Sequence, residues 1–545
     1  MTHVPQPVLG NNTHSPLRIC TANEMRNLDE VAEKEFKIEP SNLMENAGRA
    51  AVQILLDRFP MAGVNNEILV FAGKGNNAGD AFVVARRLIC LERRVRVFHL
   101  ETEEKYTGAT RKNFEILRHL KAKMAYIEQA TDLESFFRSS SGPYIVVDGI
   151  LGTGLKGDLD GVFFDMVEVI NKLNALEVLS LDIPTGVSGD TGQIHGAAVQ
   201  ATVTVSFGFP KIGHFLPPGA GKRGELFNVD ISLPPRFRRE GDKFLLTRSP
   251  LISLVKERDR YGHKNSFGHT LLIGGSKGRI GAVAMAARAC HKMGTGLVTA
   301  GTWNHCFETL QTKLPNETMG LSLADYENVS PDFLMRELTH YSSVVIGPGL
   351  GKKKEAKRVL EELIRHYRGP MVLDADALNV LAEHQMHSLL AGRRSPTILT
   401  PHPGEMARIL GITREQVVAD PTVALREAVK RTHSIVLLKG AATLISSPDD
   451  RIYLNHYPND GMATAGSGDV LAGMIGGLAG QGIDPFQATL LGVYLHSLAG
   501  DLAAKQFGHR SMTAPDIIEN IGNAFKEIKG STESAVPVEH RVRLL

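Results

Sequence analysis

Asp469 follows a Gly466-Ser467-Gly468 turn and opens a run of small apolar residues, GSGDVLAGMIGG, and this is the pattern in the chain most suggestive of chemistry. A helix starting near Asp469 would point the N–H groups of Gly466, Ser467 and Gly468 at an anion, a cradle for the oxygens of a transferring phosphate. At the edge of that cradle a carboxylate can take a proton from a hydroxyl as it attacks phosphorus, which is worth about a hundred- to ten-thousand-fold in rate. The plain alternative is a carboxylate in a helix-capping turn. Upstream, Lys439-Gly440-Ala441-Ala442-Thr443 follows an apolar run, where a turn could wrap nucleotide phosphates; taken alone, Lys439 would equally be a solvated surface charge. His402 sits between Pro401 and Pro403. A lone histidine is more often structural, but that rigid frame suits a side chain aimed at a ligand.

The first half carries a second set. Gly73-Lys74-Gly75-Asn76-Asn77-Ala78-Gly79-Asp80, Asp148 with the following LGTGLKGD, and Asp182-Ile183-Pro184-Thr185-Gly186 each come directly after an apolar run. Glycines let backbone N–H groups approach phosphates closely, so a nucleotide-like ligand would suit these loops. Asn77, Asp148 and Thr185 offer oxygen donors without cysteine or clustered histidine, a set for an alkali or alkaline-earth cation rather than zinc. Asp182 is left as a proton-transfer candidate, against the alternative of a turn or N-cap carboxylate.

Elements with room to position these loops alternate along the chain. TANEMRNLDEVAEKEF opens with a Thr21-x-x-Glu24 capping box, and a second helix is expected with Ser41 as its N-cap. The runs EILVF, VRVFHL, YIVVD, VLSLD and ATVTVSF then read as buried parallel strands separated by crossover helices. SLPPRFRREGDKF interrupts the periodicity with Pro234, Pro235 and a cluster of arginines and marks a linker. A new series follows: TLLIGG, GLVTAGT, SVVIGPG, MVLDAD, TILTPH and SIVLLKG as strands, with GAVAMAARACHKMG and KEAKRVLEELIRHY among the helices. The expected fold class is therefore α/β, two doubly wound domains spanning 18–235 and 244–530, and ligands should gather beyond the carboxyl ends of the strands. The Pro- and Asn-containing start and the patternless last residues should be loose.

Composition narrows the partners. A chain of 545 residues exceeds one ordinary core. Sixty-one basic against 59 acidic residues, a formal charge of +2, argue against a nucleic-acid groove or a membrane-surface patch. The four cysteines, Cys20, Cys90, Cys290 and Cys306, form no Cys-x-x-Cys pair, so neither a disulfide framework nor a zinc site is suggested. With no signal pattern and no long apolar span, the expectation is a cytoplasmic protein acting on small molecules, without nucleic acid or membrane, as a homo-oligomer.

GKGNNAGD, VVDGILGTGL and SLDIPTGVSGDTG together resemble the YjeF N-terminal family, the epimerases of hydrated NADH and NADPH, over 18–235. The resemblance implies a Rossmann-like three-layer domain. It implies substrate contacts at Asn76, Asn77, Ala78, Gly79, Asp80, Gly152, Thr153, Gly154, Leu155, Lys156, Gly157, Asp158 and the catalytic Asp182, with K+ held by Asn77, Asp148 and Thr185. Ala78 and Ala81 stand where that family usually has glycine, so a left-handed backbone at 78 would be strained. IGGSKGRIGAVAMAARA, GPGLG, TPHPGEMARIL, LLKGAATLI and GMATAGSGDVLAGMIGG are similar in order to the ribokinase-like dehydratases of hydrated NAD(P)H, over 244–530. There the resemblance implies that Ala282, Gly349, His402 and the catalytic Asp469 contact the hydrated dinucleotide. Lys439, Gly440, Ala441, Ala442, Thr443 and Gly468 would contact the adenine nucleotide, ADP rather than ATP, used with Mg2+.

The whole chain thus resembles the bifunctional epimerase and dehydratase family. Its substrate explains why a kinase-like fold would dehydrate. The C6 hydroxyl of hydrated NADH leaves poorly; attack on a nucleotide phosphoryl group makes it a phosphate ester, and phosphate departs with help from the ring nitrogen lone pair. Two other readings stay open from residues alone: a vitamin-precursor kinase on the same fold, and a first domain that only binds nucleotides or protein.

Overall fold

The computed structural model describes residues 16–133, 136–137, 142–155, 157–323, 338–530 and 542–544. They form two compact units, one built from Arg18–Gly241 with Val542–Leu544, the other from Asp242 onward to 530.

The first unit opens with helices α1 (Ala22–Phe36) and α2 (Pro40–Arg58). Thr21 Oγ1 accepts from the Glu24 N–H at 3.2 Å, and Glu24 Oε2 accepts from the Thr21 N–H at 2.7 Å. This reciprocal box is worth about 1 kcal/mol to the helix start. The expected Ser41 cap is not used. Glu39 is the N-cap and Pro40 the first helical residue, because proline has no N–H to leave unpaired there and its φ already suits a helix.

Seven strands follow: β1 (Ile68–Ala72), β2 (Val95–His99), β3 (Lys123–Tyr126), β4 (Tyr144–Gly149), β5 (Ala175–Leu181), β6 (Val203–Phe207) and β7 (Glu225–Val229). They pair in the order β7-β6-β5-β4-β1-β2-β3, all parallel, and Val542–Leu544 adds a parallel edge strand on β7. The end of the chain, expected to be loose, therefore contributes an ordered strand at those three residues. Every residue of β1 and of β4 is buried, as a sheet covered on both faces requires. Strand order reverses at β1, which lies between β4 and β2, so the crevice for a ligand falls between the loops leaving β1 and β4. Helix α3 (Asn76–Cys90) begins there, after Gly75 at φ 75°. Ala78 lies inside α3, so the feared strain does not arise.

The second unit holds β8 (Lys243–Leu245), β9 (His269–Ile273), α4 (Ile280–Lys292), β10 (Leu297–Trp303), β11 (Met319–Leu323), β12 (Ser343–Ile346), β13 (Met371–Leu373), β14 (Thr397–Leu399), α5 (Pro403–Leu410), β15 (Ile435–Leu438), β16 (Ala442–Ser446), β17 (Ile452–His456), α6 (Ser467–Gly480) and α7 (Pro485–Phe507). Its sheet runs β11-β10-β9-β12-β13-β14-β15-β16-β17-β8. Pairing is parallel from β11 to β15, antiparallel at β15–β16 and β16–β17, and parallel again at β17–β8. The antiparallel pairs are absent from the simple β/α alternation expected. Adjacent carboxyl ends of β12, β13, β14 and β15 bring four loops to one edge. The glycines of α6 allow close packing: a Cβ on Gly473 would lie 2.1 Å from the Ala286 carbonyl oxygen of α4.

Candidate active sites

In the first unit the loops after β1, β4 and β5 converge. Asp148, at the end of β4, is fully buried. Its Oδ2 accepts from Ser180 Oγ at 2.8 Å and the Thr185 N–H at 3.0 Å, and its Oδ1 from Thr185 Oγ1 at 2.6 Å. Burial pushes this carboxyl up, and the hydrogen bonds from Thr185, Ser180 and Ile150 oppose that. Asn77, in the first turn of α3, reaches the same crevice: a Cβ on Gly152 would lie 3.3 Å from its Cγ. Both polar atoms of the Asn77 amide are buried and lack a hydrogen-bond partner among the described residues. An orphaned amide oxygen is costly unless something polar meets it, and a cation would.

Asp182 follows β5 in a left-handed conformation, φ 63°. It caps no helix; its Oδ1 accepts from the Lys211 ammonium and, at 3.4 Å, from the Phe207 N–H. Lys211 is 1% exposed and also donates to the Phe207 carbonyl at 3.1 Å. His214 Nδ1 accepts from the Lys211 N–H at 2.9 Å, so its Nε2–H donates to the Asp182 carbonyl, also at 2.9 Å. Burial first, then Lys211 and Arg223, keep His214 well below the usual imidazole range, hence neutral. Two further carboxyls sense this group. Burial raises Asp29 to about 6 against the pull of Lys211. Asp80 is pushed well above the carboxylate range by burial and then by Asp182 and Asp29.

The remaining expected residues of this unit divide. Asn76 is exposed at the start of α3, while Ala78 and Gly79 are buried, Ala78 within the hydrophobic core. Gly152, Thr153 and Leu155 are partly buried along the loop after β4, and Gly154 and Gly157 are exposed. Asp158 pairs with His195 Nδ1 at 3.4 Å. Lys156 lies outside the described residues. Lys211 and His214 went unforeseen because neither directly follows an apolar run.

The second unit gathers a denser charge cluster. Lys439, leaving β15, is 2.7 Å from Asp374 Oδ1, the first residue after β13, so it is an interior ion pair rather than a solvated charge. Thr400 Oγ1 donates to the same oxygen at 2.6 Å. A Cβ on Gly468 would stand 3.2 Å from Lys439 Nζ, which puts the ammonium at the N-terminus of α6. Gly466, at φ 95°, caps that helix, so Asp469 is not the cap. The Ser467 N–H turns back to the Thr464 carbonyl at 3.4 Å and leaves the expected three-residue cradle smaller. Burial, then Asp374, raises Asp469 to about 7, with Lys439 opposing. Burial pulls the Lys439 ammonium down, but Asp374, Glu405 and Asp469 outweigh it and hold it above the ordinary lysine range.

His402 is the N-cap of α5: its Nδ1 accepts from the Gly404 N–H at 3.0 Å and the Glu405 N–H at 3.3 Å, and Glu405 Oε2 accepts from the His402 N–H at 2.9 Å. Its Nε2 lies 3.4 Å from Oε1 of the buried Glu405, in a half-exposed ring. Burial raises Glu405 to about 7. Gly349, at φ 62°, and Ala282 adjoin: a Cβ on Gly349 would lie 3.2 Å from that of Ala282. Gly440 and Ala441 are exposed in the β15–β16 turn, whereas Ala442 is buried and Thr443 partly buried in β16. Asp374, Asp376 and Glu405 were not singled out, although MVLDAD and TPHPGE each place carboxylates just past a strand end. Among the described residues no helix is long and apolar enough to cross a membrane.

Two α/β units, each with a lysine bonded to a carboxylate that follows a strand, have the architecture of an enzyme of two fused domains. Residues 40–213 match the model of the YjeF-related protein N-terminus, and 270–523 match that of NAD(P)H-hydrate dehydratase. A bifunctional NAD(P)H-hydrate repair enzyme of Moorella thermoacetica is 39% identical over 95% of this chain and 98% of its own. That of Thermofilum pendens is 35% identical, with 95% and 98% covered. The solved ADP/ATP-dependent NAD(P)H-hydrate dehydratase from Bacillus subtilis is 26% identical, with 52% of this chain and 98% of that one covered at a TM-score of 0.45. The chain belongs to the bifunctional NAD(P)H-hydrate repair enzyme family.

Proposed function

We propose that the first unit interconverts the R and S epimers of hydrated NADH and NADPH, and that the second dehydrates the S epimer at the expense of ADP. The observation that carries this reading is Asp469 in the first turn of α6, where the Lys439 ammonium stands at the helix N-terminus and burial raises the carboxyl to about 7. A base with that affinity for protons is half-ionised near neutral pH and suited to accept the C6 hydroxyl proton as the oxygen attacks phosphorus. Lys439 and the α6 N-terminus would meet the charge gathering on the transferring phosphoryl group. The phosphate ester then breaks: phosphate takes the C6 oxygen, the ring nitrogen lone pair forms a C=N bond, and loss of a C5 proton restores NADH. Gly349, Ala282 and His402 would hold the hydrated ring, and the turn Lys439, Gly440, Ala441, Ala442 and Thr443, with Gly468, would hold the nucleotide. Mg2+ is proposed to arrive with the nucleotide phosphates, whose hard oxygens it favours.

In the first unit, epimerisation requires the C6 hydroxyl to leave and return on the opposite face. The departing oxygen needs a proton from an acidic group facing the ring, and the Asp182 carboxylate can take the proton of the water that adds back, so no net proton is consumed. Asn76 to Asp80 and the loop from Gly152 to Asp158, Lys156 included, are proposed to hold the dinucleotide. Potassium fits Asn77, Asp148 and Thr185, since the Asn77 amide oxygen is buried and without a partner. Bound there, it would supply positive charge near the substrate phosphates. The setting proposed is a cytoplasmic homo-oligomer. The test is NADH recovery from purified hydrated NADH with ADP and ATP supplied separately. ADP should support it better than ATP, and no recovery with either would overturn the reading.

A further inference from the structure

The buried lysine of the first unit remains without a role in the chemistry above. Lys211 lies 29 residues from Asp182 in sequence, yet its ammonium bonds Asp182 Oδ1. Its other contacts are the Phe207 carbonyl at 3.1 Å and Ser206 Oγ at 3.4 Å. Its backbone N–H is fixed by His214, whose other ring nitrogen bonds the Asp182 carbonyl. Asp182 is thus gripped at both ends, side chain by the lysine and main chain by the histidine, in a left-handed conformation that residues other than glycine rarely adopt. A bare lysine buried to 1% exposure is expensive, and a fold retains one chiefly where it has a partner.

We propose that Lys211 is a positioning residue of the epimerase: its ammonium holds the Asp182 carboxylate in place for proton transfer, while His214 fixes the backbone of both residues. The inference rests on the reading of Asp182 as the proton-transfer group. Three carboxyls, Asp29, Asp80 and Asp182, act on one another electrostatically in this crevice, and Lys211 is the cation that Asp29 and Asp80 both sense. Without it Asp182 would lose its anchor and face two like-charged or neutral neighbours alone. Thr153, from the loop after β4, and Lys211 both approach Gly189: a Cβ there would lie 3.4 Å from Thr153 Cγ2 and 3.7 Å from Lys211 Cγ.

The experiment is a double-mutant cycle on the full chain with Lys211→Met, Asp182→Asn and the pair, reading epimerisation of hydrated NADPH. Dehydration of the pure S epimer by the same chain is the internal control. Lys211→Met should lower kcat at least about a hundredfold, the scale of a misaligned proton transfer, with KM changed less than about threefold. The pair should be no slower than Asp182→Asn alone, since groups acting as a unit are not additive. Losses that multiply in the pair would overturn the proposal, because a merely structural lysine would add its own damage to that of Asp182. So would a near-normal kcat in Lys211→Met. If Lys211→Met melts early, Lys211→Arg decides: restoring the charge should recover at least about tenfold of the activity per folded molecule, and no recovery contradicts the assignment. A wild-type chain that fails to epimerise would refute the parent reading instead, before any variant is compared.

Discussion

The two units use the same pair of residue types to opposite ends. In the first, the buried lysine bonds the catalytic candidate itself, Lys211 to Asp182. In the second, the lysine is bonded to a different carboxylate, Lys439 to Asp374, and Asp469 stands beside the pair at a helix N-terminus, raised to about 7. An anchored carboxylate suits a proton taken from incoming water and passed on with no net transfer. A loosely countered carboxylate, half-ionised near neutrality, suits a base that must take a proton and keep it through phosphoryl transfer. The chemistry follows less from the residue types than from which carboxylate the ammonium is spent on.

Breaking the second arrangement should have the largest effect. Asp469→Asn keeps the side-chain shape but cannot accept the hydroxyl proton, so dehydration should fall at least about a hundredfold while nucleotide binding, followed by calorimetry, stays near wild type. Turnover close to normal would return Asp469 to a structural turn. Next, replacing potassium by a large organic cation should slow epimerisation by about tenfold or more, as Asn77, Asp148 and Thr185 lose their proposed ion. The dehydration rate of the pure S epimer should not change, and equal slowing of both activities would sever the cation from the first unit. The smallest effect is a shift. Dehydration should decline as pH falls through about 7, because Asp469 becomes protonated and the neutral acid is no base. Lys439 lowers the Asp469 pKa, so Lys439→Met should move that limb to higher pH. A limb that stays put or moves down would mean that the lysine does not set this base.

Much of this was legible because buried parallel strands announce themselves as apolar runs and ligands collect where such runs end. Asp148, Asp182, His402 and Lys439 all lie at or near those ends, and Asp469 was legible from its Gly-Ser-Gly turn at a helix start. Pairings over long sequence separations were not legible: Lys211 with Asp182, or Lys439 with Asp374 across 65 residues, depend on which strands become neighbours. The antiparallel β16 and β17 hid for a related reason. ATLIS and IYLNH carry the same apolar content as parallel strands, and direction is decided by the connection, not the composition. The misplaced cap at Ser41 shows a local contest, in which Pro40 outcompeted a good hydroxyl cap one residue later. The strand Val542–Leu544 was missed because three residues carry too little pattern to register, yet the β7 edge supplies the hydrogen-bonding partner.

The central claim is that the two units act in sequence on one substrate pool, and a progress curve tests it most directly. An R and S mixture of hydrated NADH, given with ADP and potassium, should be converted by the wild-type chain smoothly to completion. Asp182→Asn should show a fast phase equal to the S fraction, followed by a slow phase at the spontaneous epimerisation rate, because only one C6 hydroxyl can lie in line with the phosphoryl group within reach of Asp469. Adding an intact first unit in trans should abolish the slow phase. A single fast phase in Asp182→Asn would contradict the claim, for then either Asp182 transfers no proton or the second unit accepts both epimers.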